Sequence, residues 1–313
     1  MTRRKAIGRS RMRPTWPAKR NCGMIRPLLA ATLAAAMLTA CSPAGLLNGL
    51  DRVSAPGGPS RVASGVAFGA HPRLKLDVYA PGGRPQPGAR LPVVIFFYGG
   101  GWVAGERGEY AFAGRAFASN GFVAVVPDYR LVPGVRFPTF VEDGALAVKW
   151  ARDHAADYGG DPERITLSGH SAGAYIAAML ALDPHFLRDA GVDPKTIRAA
   201  ALLAGPYDFA PFTEQRGRDA LGAWPRPAET QPISFARADA PPLLLATGTA
   251  DTVVRPYNSE RLAARLRSLG APVELKLYPG KSHVDLVKSL SVPFRGSSPA
   301  LADSVAFLRA RSR

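Results

Sequence analysis

The chain has 313 residues, 47% hydrophobic and 20% charged, enough for two small domains or one large α/β domain. With 32 Gly and 29 Pro spread along it, and 14 Phe, 9 Tyr and 4 Trp to pack, the composition excludes a disordered tail, a collagen and a coiled coil. The net charge of +16 raises nucleic acid or an anionic membrane as a partner, yet nine of the basic residues fall within positions 1–40, where there is no acid. Residues 41–313 hold 31 basic against 24 acidic side chains, a net of only +7. Arginine outnumbers lysine 32 to 8, the imprint of a GC-rich coding sequence. No nucleic-acid-binding motif accompanies the charge, so no such partner is expected.

From Leu28 to Ala40 runs an uncharged stretch, LLAATLAAAMLTA, which fits the hydrophobic core of a secretory signal and is too short to span a bilayer. It closes on Leu38-Thr39-Ala40-Cys41, which resembles the lipobox of bacterial lipoproteins. That resemblance implies cleavage before Cys41, diacylglycerol on its thiol and membrane anchoring. Ser42, where an inner-membrane retention signal places Asp, implies outer-membrane sorting, with an ordinary cleaved signal and a periplasmic protein as the alternative. Met24-Ile25-Arg26-Pro27 alone makes a compact basic region, which offers Met24 as a second start. Cys22 then leaves with the leader, and no Cys follows Cys41, so neither a disulfide framework nor a Cys-based metal site is expected.

The organisation expected is a signal peptide over 1–40, a lipidated tether over 41–60, rich in Gly, Pro and Ser, and a catalytic domain over 61–313. Two alternating segments, 61–68 and 74–79, predict an opening antiparallel pair. Short apolar runs at 91–97, 122–126, 165–168, 199–203, 243–246 and 273–277 suit strands buried on both faces. Helical stretches lie among them at 110–119, 141–154, 172–182, 259–269 and 299–311. This alternation predicts a mostly parallel sheet flanked by helices. Residues 206–240, rich in Pro and aromatics, form the one long irregular connection, as a lid or binding loop would.

Gly169-His170-Ser171-Ala172-Gly173 follows a predicted strand and opens a predicted helix. This is G-x-S-x-G in the context of a nucleophile elbow, where glycines permit a sharp turn that lifts a serine hydroxyl above the sheet. A serine there also sits at a helix N-terminus, whose N–H groups favour a developing oxyanion. Upstream, the strand 91–97 runs into Tyr98-Gly99-Gly100-Gly101-Trp102, where bare backbone can approach a substrate oxygen.

These motifs, with Asp128-Tyr129-Arg130, the Phe137-Pro138 to Trp150 helix and Gly159-Gly160-Asp161-Pro162, resemble the α/β-hydrolase esterases of the hormone-sensitive-lipase and feruloyl-esterase-like groups. The resemblance covers about residues 61–313 and implies the α/β-hydrolase fold. It also implies oxyanion donors at the N–H groups of Gly100, Gly101 and Ala172. Tyr98 departs from the family's usual His, at a position that braces the loop.

In this fold the triad runs in the order Ser, acid, His, which selects Ser171, Asp251 after the strand 243–246, and His283 after the last strand. Asp285, two residues beyond His283, is the rival acid. Asp208, Asp143 and Asp128 read as structural, and His71, His154 and His185 as surface residues. No metal or dinucleotide pattern occurs, so no metal and no cofactor are expected. The expected reaction is hydrolysis of a small-molecule carboxylic ester through an acyl-enzyme. Amide hydrolysis of a formamidase or peptidase kind is the alternative, and a non-catalytic binding lipoprotein a third. Fewer than forty residues separate Pro56 from the strand at 91, which leaves no room there for an N-terminal cap and predicts an open site.

Overall fold

A computed structural model describes residues 42–54, 58–82 and 88–312, besides Thr2. The rest of the expected leader and Cys41 lie outside the described residues. In chain order come helix α1 (Pro43–Ser54), strands β1 (Ser60–Ala67), β2 (Lys75–Ala80) and β3 (Leu91–Phe97), then α2 (Ala111–Ala118), β4 (Val123–Pro127) and α3 (Thr139–His154). They are followed by β5 (Gly160–His170), α4 (Ala172–Leu182), α5 (Pro184–Asp189), β6 (Ile197–Leu203), α6 (Gln215–Leu221) and β7 (Leu243–Gly248). Helix α7 (Tyr257–Ser268), β8 (Val273–Tyr278), α8 (His283–Lys288) and α9 (Ala300–Arg311) complete the chain.

The strands form one eight-stranded sheet in the order β1-β2-β4-β3-β5-β6-β7-β8. The β1–β2 and β2–β4 pairs are antiparallel and every other pair is parallel, which matches the expected architecture. Strands β3, β4 and β7 are buried along nearly their whole length, because packed helices cover both faces of a parallel sheet and leave no solvent-facing register. Strand β8 departs from expectation. Its apolar run suits burial on both faces, yet Glu274, Lys276 and Leu277 are exposed, since β8 is an edge strand with a neighbour on one side only.

The larger departure is at the N-terminus. Residues 42–60, expected as an irregular tether, contain α1, and Ser42–Arg313 is one compact unit. Polar groups hold the helix. The Asp51 carboxylate, 1% exposed, accepts from Arg115 Nε and from the Val292 N–H, each at 2.7 Å. Asn48 accepts from Arg115 Nη2 at 2.7 Å and donates to the Gly108 carbonyl at 2.9 Å. A search for apolar periodicity passes over a helix whose inward face is charged and amide-bearing.

The 206–240 connection is not a free loop. It contains α6 and two short 3₁₀ turns, and Tyr207, Phe209, Phe212 and Trp224 pack it on the core.

Candidate active site

Strand β5 delivers the chain to Ser171 in the middle of the sheet, and α4 leaves immediately behind it. Ser171 takes φ 56° and ψ −122°, a conformation that costs a non-glycine residue free energy and is kept only where the surroundings fix it. Here its N–H donates to the Leu203 carbonyl at 2.9 Å and its carbonyl accepts from Tyr175 N–H at 3.0 Å. The flanking glycines are required by contact. A Cβ on Gly169 would lie 2.6 Å from the Gly173 carbonyl, and one on Gly173 would lie 2.1 Å from the Phe97 oxygen. Helix α4, buried at all of its positions, can therefore sit directly on β3.

The loop after β3 folds back over the elbow. A Cβ on Gly99 would meet both Ser171 Cβ and His170 Nδ1 at 3.1 Å, so this backbone passes beside the candidate nucleophile. Gly100 has φ 131° and faces the Ala104 oxygen at a distance no side chain tolerates, and Gly101 has φ 61°. Tyr98 fixes the loop from below. Its ring stacks between Tyr110 and Tyr129, at 5.3 and 4.7 Å, and its hydroxyl donates to Asp128 at 3.0 Å while accepting from Arg73 at 3.2 Å. Burial, reinforced by the Asp128 carboxylate, pushes the phenol's pKa well above 10.0, so it stays a donor. Arg107 ties Asp128 to Asp77 behind it.

Two loops at the end of the sheet bring Asp251 and His283 together. The chain after β7 and the chain after β8 are joined by Ala250 N–H to the Lys281 carbonyl and Thr249 N–H to the Tyr278 carbonyl, both at 3.0 Å. Gly248 permits this approach, since a Cβ there would lie 2.0 Å from the Lys281 oxygen. Asp251 Oδ2 lies 2.7 Å from His283 Nδ1, and Oδ1 accepts from the Val253 and Val254 N–H groups at 2.9 and 2.8 Å. Both oxygens of a buried carboxylate are thus engaged. Among the described residues the His283 ring bonds to Asp251 alone; no hydrogen bond joins it to Ser171 in this structure. Such bonds are often long without substrate and tighten when it binds.

Asp285 is occupied elsewhere. It caps α8, accepting from the Ser282 N–H at 2.8 Å and hydroxyl at 2.7 Å, and pairs with Lys288 at 2.7 Å. That pairing, with the Ser282 bonds, draws its pKa well below 3.8. Asp143 holds Arg130, and Asp208 pairs with Arg261 at 3.0 Å. His71, His154 and His185 are exposed.

Two residues near the site hold positions that no motif assigns. His170 packs its ring 4.6 Å from that of His283, and its Nε2 lies 3.0 Å from the His283 carbonyl. Arg216, on α6, lays its Cδ over Gly101, 2.7 Å from where a Cβ would stand. The first is visible in sequence as the x of G-x-S-x-G, but its partner is 113 residues away. The second carries no local signal at all.

A strained serine between a central parallel strand and a buried helix, with an acid and a histidine just beyond the ends of later strands, defines an α/β hydrolase. Comparison narrows the class: the family described as BD-FAE matches residues 76–266, and the chain belongs to that family. It is 32% identical over 272 residues to a probable isoprenylcysteine alpha-carbonyl methylesterase, ICMEL1, of Oryza sativa subsp. japonica, covering 79% of this chain and 62% of that protein. It is 30% identical to the carboxylesterase NlhH of Mycobacterium tuberculosis, covering 70% of this chain and 73% of that one. Among solved structures, Thermogutta terrifontis esterase 2 superposes with a TM-score of 0.66 at 27% identity, covering 82% of this chain and 95% of the other. The chain thus spans about three fifths of the length of the plant relative.

Proposed function

We propose that this protein is a serine carboxylesterase acting on small-molecule esters. The observation that carries the reading is the buried Asp251–His283 pair at 2.7 Å, in a chain whose Ser171 is held at positive φ beside a glycine backbone loop. Ser171 Oγ attacks the ester carbonyl as His283 Nε2 takes its proton. The N–H groups of Gly100, Gly101 and Ala172 receive the oxyanion. His283 returns the proton to the leaving alkoxide, the alcohol departs, and water repeats the sequence on the acyl-Ser171 ester to release the acid. Asp251 holds Nδ1–H, so that Nε2 is the basic nitrogen. The esterases among its relatives and structural neighbours support ester over amide substrates. Export and a lipid on Cys41 complete the reading, supported by the Leu38-Thr39-Ala40-Cys41 motif.

The test is a panel of nitrophenyl esters from acetate to palmitate, run beside feruloyl esters and a formamide. Ser171→Ala should abolish turnover with the fold intact. Asp251→Asn should lower kcat by about 10⁴-fold, and Asp285→Asn, which weakens a helix cap and the Lys288 ion pair, far less. Turnover by the Ser171→Ala protein, or a larger loss from Asp285→Asn than from Asp251→Asn, would refute the assignment.

A further inference from the structure

Helix α1 is inverted relative to an ordinary surface helix. At 100° per residue, Ala44, Leu47, Asn48 and Asp51 form one face, and this is the face turned to the domain, where Asn48 and Asp51 bind Arg115, Gly108 and Val292. The opposite face carries Leu46, Leu50 and Val53, at spacings of four and three, and these are 57%, 43% and 82% exposed. The helix thus turns Asn48 and Asp51 inward beside Leu47 and carries three large apolar side chains outward, flanked by exposed Arg52. A single exposed leucine needs no explanation, but three aligned over a two-turn stripe, on a helix whose hydrogen-bonding residues face the protein, mark a surface built to meet an apolar phase.

Two further observations say which phase. Cys41 stands two residues before α1, a separation that extended chain covers in roughly 7 Å, and the helix itself is only about 18 Å long. Beside α1 lies a cleft of about 420 Å³ lined by Asn48, Arg52, Arg61 and Arg115, among others. Two of these arginines are already paired, Arg115 with Asp51 at 2.7 Å and Arg61 with Asp77 at 3.1 Å, so exposed Arg52, next to Val53 of the stripe, is the cation placed to meet an anionic headgroup; stripe and cation together match the layering of a bilayer surface, acyl chains next to anionic headgroups.

We propose that the outward face of α1 is a membrane-contacting surface: Leu46, Leu50 and Val53 enter the acyl–headgroup boundary while Arg52 beside them meets anionic phospholipid headgroups. The lipid-anchor reading of Cys41 supplies what brings the helix to the bilayer, and the inference rests on it to that extent. The helix is clamped to the domain, so the catalytic body would lie against the membrane in a fixed attitude rather than swing on a tether.

The test uses the full chain, exported by a Gram-negative host and reconstituted into vesicles of phosphatidylcholine with about a quarter phosphatidylglycerol. An environment-sensitive fluorophore is placed through Leu50→Cys or, as a reference, through Lys195→Cys, an exposed position ahead of β6. Mass spectrometry first reads the state of Cys41. With Cys41 diacylated, the label at 50 should emit to the blue and be quenched by brominated phospholipid several-fold more than the label at 195. Equal, water-like emission at both positions would overturn the proposal. A blue shift at 50 without quenching by brominated lipid would overturn it too, by assigning the face to a second copy of the chain. An unmodified Cys41 would refute the anchor alone. Vesicle flotation of that same protein against its Leu50→Asp variant then decides: a several-fold loss on substitution supports the face, and no difference refutes it.

Discussion

His170 touches no reacting atom in the proposed mechanism, yet it helps set where the His283 backbone lies. Its Nε2 faces a carbonyl, which only accepts, so Nε2 carries the hydrogen; Nδ1 is then bare, buried and without a partner among the described residues. Burial, with the His283 ring beside it, pushes the pKa of His170 well below 6.5. The sign of the consequence follows. Below the ordinary histidine value the unfolded chain binds a proton at this residue and the folded chain does not, so stability falls as pH drops from about 6.5 toward the folded value. At most this contributes about 1.4 kcal/mol per pH unit. His170→Gln keeps an amide donor for the carbonyl and does not titrate. Denaturant unfolding at pH 7.5 and pH 5 should therefore show a smaller acid loss in His170→Gln than in the unsubstituted protein, and equal losses would contradict this account.

Among elements, the elbow is where contact geometry makes the sharpest claim. A methyl group on Gly173 would collide with the Phe97 carbonyl, backbone against backbone, so α4 could not stay on β3. Gly173→Ala is expected to cost more than about 4 kcal/mol and to yield little soluble protein. Gly49, in the middle of α1, has nothing within 4 Å of its own Cβ position; Gly49→Ala should stabilise by about 0.5–1 kcal/mol. Thermal melts of the two variants should move in opposite directions. These elements also mark what the sequence could disclose. The central strands were legible because burial on both faces leaves an unbroken apolar run, and α4 was legible end to end because a helix buried all round is apolar all round. Helix α1 was not, since the polar contacts that hold it are an ion pair and hydrogen bonds to Gly108, Arg115 and Val292, residues far along the chain. The pairing of Asp251 with His283 was within reach of fold order and strand ends, which also offer Ser171 as the candidate nucleophile; Arg216 was not, because its position over Gly101 arises only from how the 206–240 segment packs.

For the whole molecule, the compact unit begins at Ser42 and not at Arg61. A chain beginning at Arg61 would lack Asp51, leaving the Arg115 guanidinium, 15% exposed, without its carboxylate and the Val292 N–H without an acceptor. Because the covering helix leaves with Asp51, both groups return to water, and the loss is the net worth of the charge-assisted hydrogen bonds, about 1.5–3 kcal/mol. Such a chain should unfold at clearly lower urea concentration than one beginning at Ser42, and coincident midpoints would mean that α1 adds nothing to the domain.

Asp51 and Val292 are 241 residues apart. During synthesis at roughly 5–20 residues per second, α1 waits on the order of ten seconds to a minute before its last anchoring group exists. The clamp that finally seats α1 thus also acts as a check on completeness: a chain truncated before Val292 presents an N-terminal helix that cannot be seated in full.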